Sequence, residues 1–245
     1  MDLCRLRLTI VLLAVIALSV AGQAQGSEYT VSQTAHLSAS ANGIEGNLEL
    51  LIDARLPADL QKQMWGIGDW SFVLPEKDPR YVAFAATPPL NAVVRIVDGT
   101  GRVLEEVTLE RPLARLTEAH LHSDRTSFLI DVDYSVGFGS YAGITTQFLD
   151  VLRSHLKWEV AENVVTRQVE IIRLPKTLKS DWKFTGGRGT PNILLVLCRP
   201  TSAGDGFVIR YVRYRFDGQK WYQSERSRKG LWEADERFPP VSLFP

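Results

Sequence analysis

His120 and His122 alternate in the run 119–124 (Ala-His-Leu-His-Ser-Asp), so on an extended strand both imidazoles leave the same face and Asp124 continues that side. Two imidazoles and a carboxylate are a first shell that zinc or copper accepts. The competing reading is packing, because no second His/Cys cluster stands nearby and His120 falls where Trp65 and Trp182 stand in a repeat described below. Asp131 and Asp133 alternate as at the start of a calcium loop. An EF-hand would then need glycine at its sixth position and glutamate at its twelfth, where this chain has Val136 and Ala142. The strand reading is the better one: Ile130, Val132 and Tyr134 inward, the aspartates toward water. The cofactor expectation is therefore none, with zinc, copper or calcium as the alternative, held by His120, His122 and Asp124.

A second chemistry lies near the C-terminus, where Arg210, Arg213 and Arg215 interleave with Tyr211 and Tyr214, and Trp221 follows a turn. Guanidinium groups among aromatic rings grip polyanions, sugars or a partner surface. They also serve as strand faces whose long stems cover apolar surface. Two glycine-rich loops, 137–143 and 184–191, lack both the strand-to-helix context and the lysine of a phosphate cradle. There is no Gly-x-Ser-x-Gly elbow, and no Ser-His-Asp triad can be argued from the spacing. The enzyme reading consequently leans to no.

The elements that must position these groups are strands. Pro57, Pro112, Pro175 and Pro239 each follow an arginine by one or two places, and the first three are followed by a leucine and then a large ring. Each copy continues into an apolar run, at 81–87, 128–134 and 193–198, then a loop and a hairpin. Asp98-Gly99 and Asp217-Gly218 stand between alternating segments, the signature of hairpin turns. Residues 58–65 form the best short helix, with Leu60 and Met64 four apart. The run 69–75 and the run 81–87 read as short strands stopped by prolines. The tail 236–245 reads as a cap packing across the last unit.

The expected fold is mainly β, with repeated antiparallel meander units at about 58–111, 112–173 and 174–237. Such units must stack to bury their exposed faces, in a propeller-like ring or in packed sheets, with a β-sandwich as the alternative. In the ring form, the N-terminal strands would complete a sheet with the C-terminal segment.

Residues 1–25 have the anatomy of a secretory signal: Arg5 and Arg7, an apolar stretch from Leu8 to Val20, then small residues suited to cleavage after Ala21 or Ala24. The alternative is a membrane anchor through uncleaved residues 8–21. Export to the periplasm or beyond is the expectation, leaving a single β-repeat domain over 26–245 with no membrane span. Cys198, alone in that domain, sits in an apolar run as a small buried hydrophobe. The whole chain carries 28 basic and 28 acidic residues, so it lacks the field of a nucleic-acid binder. Together these features point to a non-enzymatic interaction module that binds a protein or a saccharide of the cell envelope. The alternative is a metal-dependent hydrolase with a site built on loops.

Overall fold

The structure, a computed structural model, describes residues 28–119, 121, 125–136, 139–185 and 192–245. The signal-like segment lies outside these, as do His120, His122 and Asp124. Half of the chain is strand and 12% is helix, arranged in two sheets. The mainly β, packed-sheet expectation holds. No helix among the described residues is long and apolar enough to cross a membrane.

The first sheet is antiparallel and follows chain order: β1 (Tyr29–Leu37), β2 (Gly46–Asp53), β3 (Val93–Asp98) and β4 (Val103–Thr108). A short helix, α1 (Ala39–Asn42), links β1 to β2. The β3–β4 hairpin closes at the expected Asp-Gly site, where the Asp98 carboxylate accepts from the Thr100 and Arg102 amides at 2.9 and 3.0 Å. Helix α2 (Ala58–Met64) buries Leu60 and Met64 as their spacing predicts.

Two expected strands are not strands. Residues 70–72 form a 3₁₀ turn that starts where the Asp69 side chain accepts from the Ser71 amide. Residues 79–86 form α3 (Pro79–Ala86), capped by Asp78 on the Arg80 amide at 2.8 Å. Proline at the first helical position behind an aspartate is a helix start signal, and it outweighs the apolar alternation of 81–87.

The second sheet has eleven strands: β5 (Ala114–Ala119), β6 (Ser127–Asp133), β7 (Gly143–Leu152), β8 (His155–Trp158), β9 (Val160–Asn163), β10 (Val169–Ile171), β11 (Arg173–Thr177), β12 (Ser180–Thr185), β13 (Asn192–Pro200), β14 (Phe207–Phe216) and β15 (Trp221–Lys229). Its hydrogen-bonded path runs β10-β9-β15-β14-β13-β12-β11-β7-β6-β5, with β8 on β7. Ile172 alone separates β10 from β11, so the first seven strands of that path must curl until their ends meet. At the seam the Ile172 amide donates to the Glu159 carbonyl, and the Glu159 amide to the Phe148 carbonyl, both at 3.0 Å. The result is a small barrel from which β7, β6 and β5 continue as a flap.

The units expected from the repeat do not make separate blades. Strands of the second and third share this one sheet, while the first supplies helices and two strands to the other sheet. Nor does the N-terminus join the C-terminal segment: β1 pairs only β2, and β15 pairs β14 and, in parallel, β9. Parallel β9 satisfies the outer edge of β15, which leaves no edge there for β1.

Three apolar clusters follow. The first lies between the four-stranded sheet with its helices and one face of the flap, where Phe128, Ile130, Leu149 and Val151 meet Leu48, Leu50 and Phe84. The second fills the barrel, with Phe148, Leu174, Ile193, Leu195, Val212, Tyr214 and Trp221. The third covers the barrel's outer wall, where the tail lays Trp232, Phe238 and Phe244 over Val196, Ile209 and Tyr211. The tail is thus the expected cap, and buried Cys198 belongs to the same layer.

Gly143 begins β7 where β11 crosses it, and a Cβ there would lie 2.2 Å from the Lys176 carbonyl oxygen. Backbone cannot yield as a side chain tip can, so Gly143→Ala is expected to cost about 1–3 kcal/mol in urea unfolding. Gly139→Ala, where nothing lies within 4 Å, should stay within about 0.5 kcal/mol of the parent.

Candidate functional site

Side chains alternate along each barrel strand, and cross-strand pairing fixes which of them share the inner face. Leu195 pairs with Val212 and Leu197 with Arg210, so these four face inward together with Tyr214 and Arg199. Along this face the two ends of the barrel differ. At one end Trp221 is fully buried, stacked on Phe148 at 6.4 Å and tilted against Phe216 at 5.3 Å. Phe184 adds to that end, 6.2 Å from Phe148 and edge-on to Trp182 at 5.4 Å.

The other end is open. A cleft of about 430 Å³ lies there, floored by Leu195, Leu197 and Val212. Its rim carries polar groups drawn from several strands: Tyr134, Tyr141, Glu170, Arg173, Arg199, Arg210, Tyr214 and Gln223. Barrel mouths with an apolar floor and a few convergent polar groups are common ligand sites.

Two of the three arginines are already engaged. Arg173 grips Glu110 through both terminal nitrogens, at 2.7 and 3.4 Å, and the Tyr134 hydroxyl donates to the same carboxylate at 2.6 Å. Glu110 is held below the usual carboxylate range by Arg173 first and Tyr134 second. Burial, then Glu110, pushes the Tyr134 phenol up to about 12. Arg210 pairs with Glu225 on the neighbouring strand. Glu110 and Glu225 therefore fix the orientation of rim side chains without lining the cleft.

Several of the cleft's polar groups keep hydrogen-bonding capacity unspent. Among the described residues the Arg199 and Glu170 side chains have no ion pair or hydrogen bond, and the Tyr214 hydroxyl has no partner although Tyr214 is only 6% exposed. Burial drives the Tyr214 phenol above its ordinary range, so it remains a neutral hydroxyl, both donor and acceptor.

Of the six residues singled out from the sequence, the cleft brings Arg210 and Tyr214 together. Tyr211 points through the opposite wall, edge-on to Phe244 at 5.4 Å with the Arg228 guanidinium over its ring. Arg213 lies on that outer side and donates to the Val241 carbonyl at 3.3 Å, Arg215 is exposed, and Trp221 is interior packing. His120, His122 and Asp124 fall outside the described residues. Among the described residues no cluster of three or more His, Cys, Asp or Glu stands ready to hold a metal. Asp133, expected to face water, is buried and accepts from the Gly66 and Ser135 amides at 2.8 and 2.9 Å, tying the end of α2 to β6. Ile130 and Val132 do face inward.

Sequence reasoning passed over Tyr134, Tyr141, Glu170, Arg173, Arg199 and Gln223. Arg173 stood out only as the arginine two places before Pro175. No local signal marks a site whose rim draws on five strands and the loop between β6 and β7.

A second polar cluster has a different character. Buried Asp150 accepts from the Ser127 hydroxyl at 2.7 Å and pairs with Arg125, which also reaches Glu159 at 3.3 Å. Burial first, and the Glu159 carboxyl second, push Asp150 up to about 6 against the pull of Ser127 and Arg125. Its neighbourhood also anchors the first sheet: Asn42 donates to the Val151 carbonyl at 3.0 Å and accepts from Thr126 at 3.2 Å. This is an internal pin between sheets.

No family model, curated protein or solved structure matches the chain.

Because folded Asp150 keeps its proton to higher pH than the unfolded carboxyl, its contribution to stability is complete below the ordinary value of 3.8. It is lost as pH rises through about 6. Urea unfolding of the parent and of Asp150→Asn should therefore show a parent-minus-variant stability that falls between about pH 4 and about pH 6.

Proposed function

We propose that the chain is an exported, non-enzymatic binding module whose barrel-mouth cleft holds a saccharide of the cell envelope. The observation that carries this is the unspent capacity at the rim: Tyr214, Arg199 and Glu170 stand unpartnered over an aliphatic floor. A sugar ring offers the matching surface, with hydroxyls that both donate and accept and C–H faces that pack on Leu, Val and Tyr. Planar polar side chains held by neighbouring carboxylates, as Arg173 and Tyr134 are by Glu110, favour recognition because little side-chain freedom remains to be lost on binding. A neutral hydroxyl, a free cation and a free carboxylate together suit a polyol better than a polyanion. The signal-like segment 1–25 supports delivery to the compartment where such saccharides lie.

The test is calorimetric titration of the chain from Gly26 onward with fractionated envelope saccharides. Tyr214→Phe, which deletes one hydroxyl and keeps the ring, should weaken binding about threefold to tenfold, the worth of one neutral hydrogen bond. Cell fractionation should find the protein outside the cytoplasm. Heat of binding to envelope proteins but to no saccharide fraction would overturn the reading in favour of a protein partner.

A further inference from the structure

Within the cleft the three arginines are not equivalent. Arg173 is neutralised by Glu110 and Arg210 by Glu225, both carboxylates standing outside the lining. Arg199 has no acidic partner among the described residues, although Glu170 lines the same cleft. A guanidinium left uncompensated beside an apolar floor attracts an anion, and its planar fork matches a carboxylate through two parallel N–H bonds. The backbone of Arg199 is held in register opposite Val208 on β14.

Glu170 limits what that anion can be. A second negative group crossing the cleft would meet it, whereas a hydroxyl would donate to it. The fit is therefore to a ligand with one carboxylate at Arg199 and hydroxyls toward Glu170 and Tyr214. We infer that the cleft selects acidic saccharides of the uronic acid type, with Arg199 as the residue that reads the carboxylate. This rests on the saccharide reading above and adds the charge that the sugar must carry.

The experiment titrates the chain from Gly26 onward with the methyl glycosides of galacturonic, glucuronic and mannuronic acid and with neutral oligosaccharides ending in a single uronate, each beside its carboxyl-reduced neutral counterpart. Neutral envelope saccharides run in parallel. At least one uronate should bind about tenfold or more tighter than its reduced form, the scale of a hydrogen bond to a charged group. Added salt should narrow that preference. Arg199→Ala, at an exposed position that leaves the fold intact by circular dichroism, should bring acid and neutral forms level, while Arg199→Lys should restore part of the difference. Equal binding of acid and reduced forms, or binding of neutral saccharides alone, would overturn the acid preference and leave the saccharide reading standing. Binding of no saccharide of either kind would overturn both.

Discussion

Everything in the second sheet depends on one covalent constraint: a single residue, Ile172, separates strands that stand at opposite ends of a seven-strand path. A flat sheet would carry those ends tens of ångströms apart, at about 4.8 Å per strand. The chain satisfies the constraint by curling, and the amides of Glu159 and Ile172 stitch the seam. Curling removes edges that would otherwise present unpaired amides, and it creates an interior that must be filled. Phe148, Phe216 and Trp221 fill one end. At the other end the inward positions are occupied by Arg199, Arg210 and Tyr214, whose polar tips cannot be buried together without partners. That end stays open, and the cleft is the consequence.

Charge is managed locally rather than globally. The chain is neutral in sum, yet Glu110, Glu225 and Glu162 each hold basic groups in defined positions. Around the cleft this pairing orients Arg173, Arg210 and Tyr134 while removing most of their net charge, so the field within the cleft comes mainly from Arg199 and Glu170. The Arg125–Asp150–Glu159 cluster uses similar groups for a different end. Burial and like charge between its carboxyls favour retention of a proton, and its hydrogen bonds hold the corner where the two sheets meet.

The tail shows how the two faces of one strand can serve different purposes. On β14, Val212 and Tyr214 look into the barrel, while Ile209 and Tyr211 look out under Trp232 and Phe244. Without residues 231–245 the outer wall would present apolar side chains to water. The cap thus lets β13 and β14 be buried on both faces, which gives the cleft floor a rigid backing.

Much of the local structure was legible in the residues themselves. Asp98-Gly99 and Asp217-Gly218 mark hairpins, β3–β4 and β14–β15 turn there, and the left-handed positions of those turns fall on Gly101 and Gly218. Alternation gave the strands around 128–134 and 193–198, and the spacing of Leu60 and Met64 gave α2. Helix α3 was hidden because its apolar run suits either period, although Asp78-Pro79 marks its start. The recurring proline register did not translate into blades, since pairing between distant strands obeys closure of the sheet rather than spacing along the chain. Alternation tells which residues share a face, and so it grouped Arg210 with Tyr214 apart from Tyr211 and Arg213. It cannot tell which face lies inside a barrel and which lies under a tail, because both carry apolar residues. That choice, and with it the meeting of Arg173, Arg199 and Glu170 around one cleft, was decided only by the tertiary structure, through contacts between strands far apart in the chain.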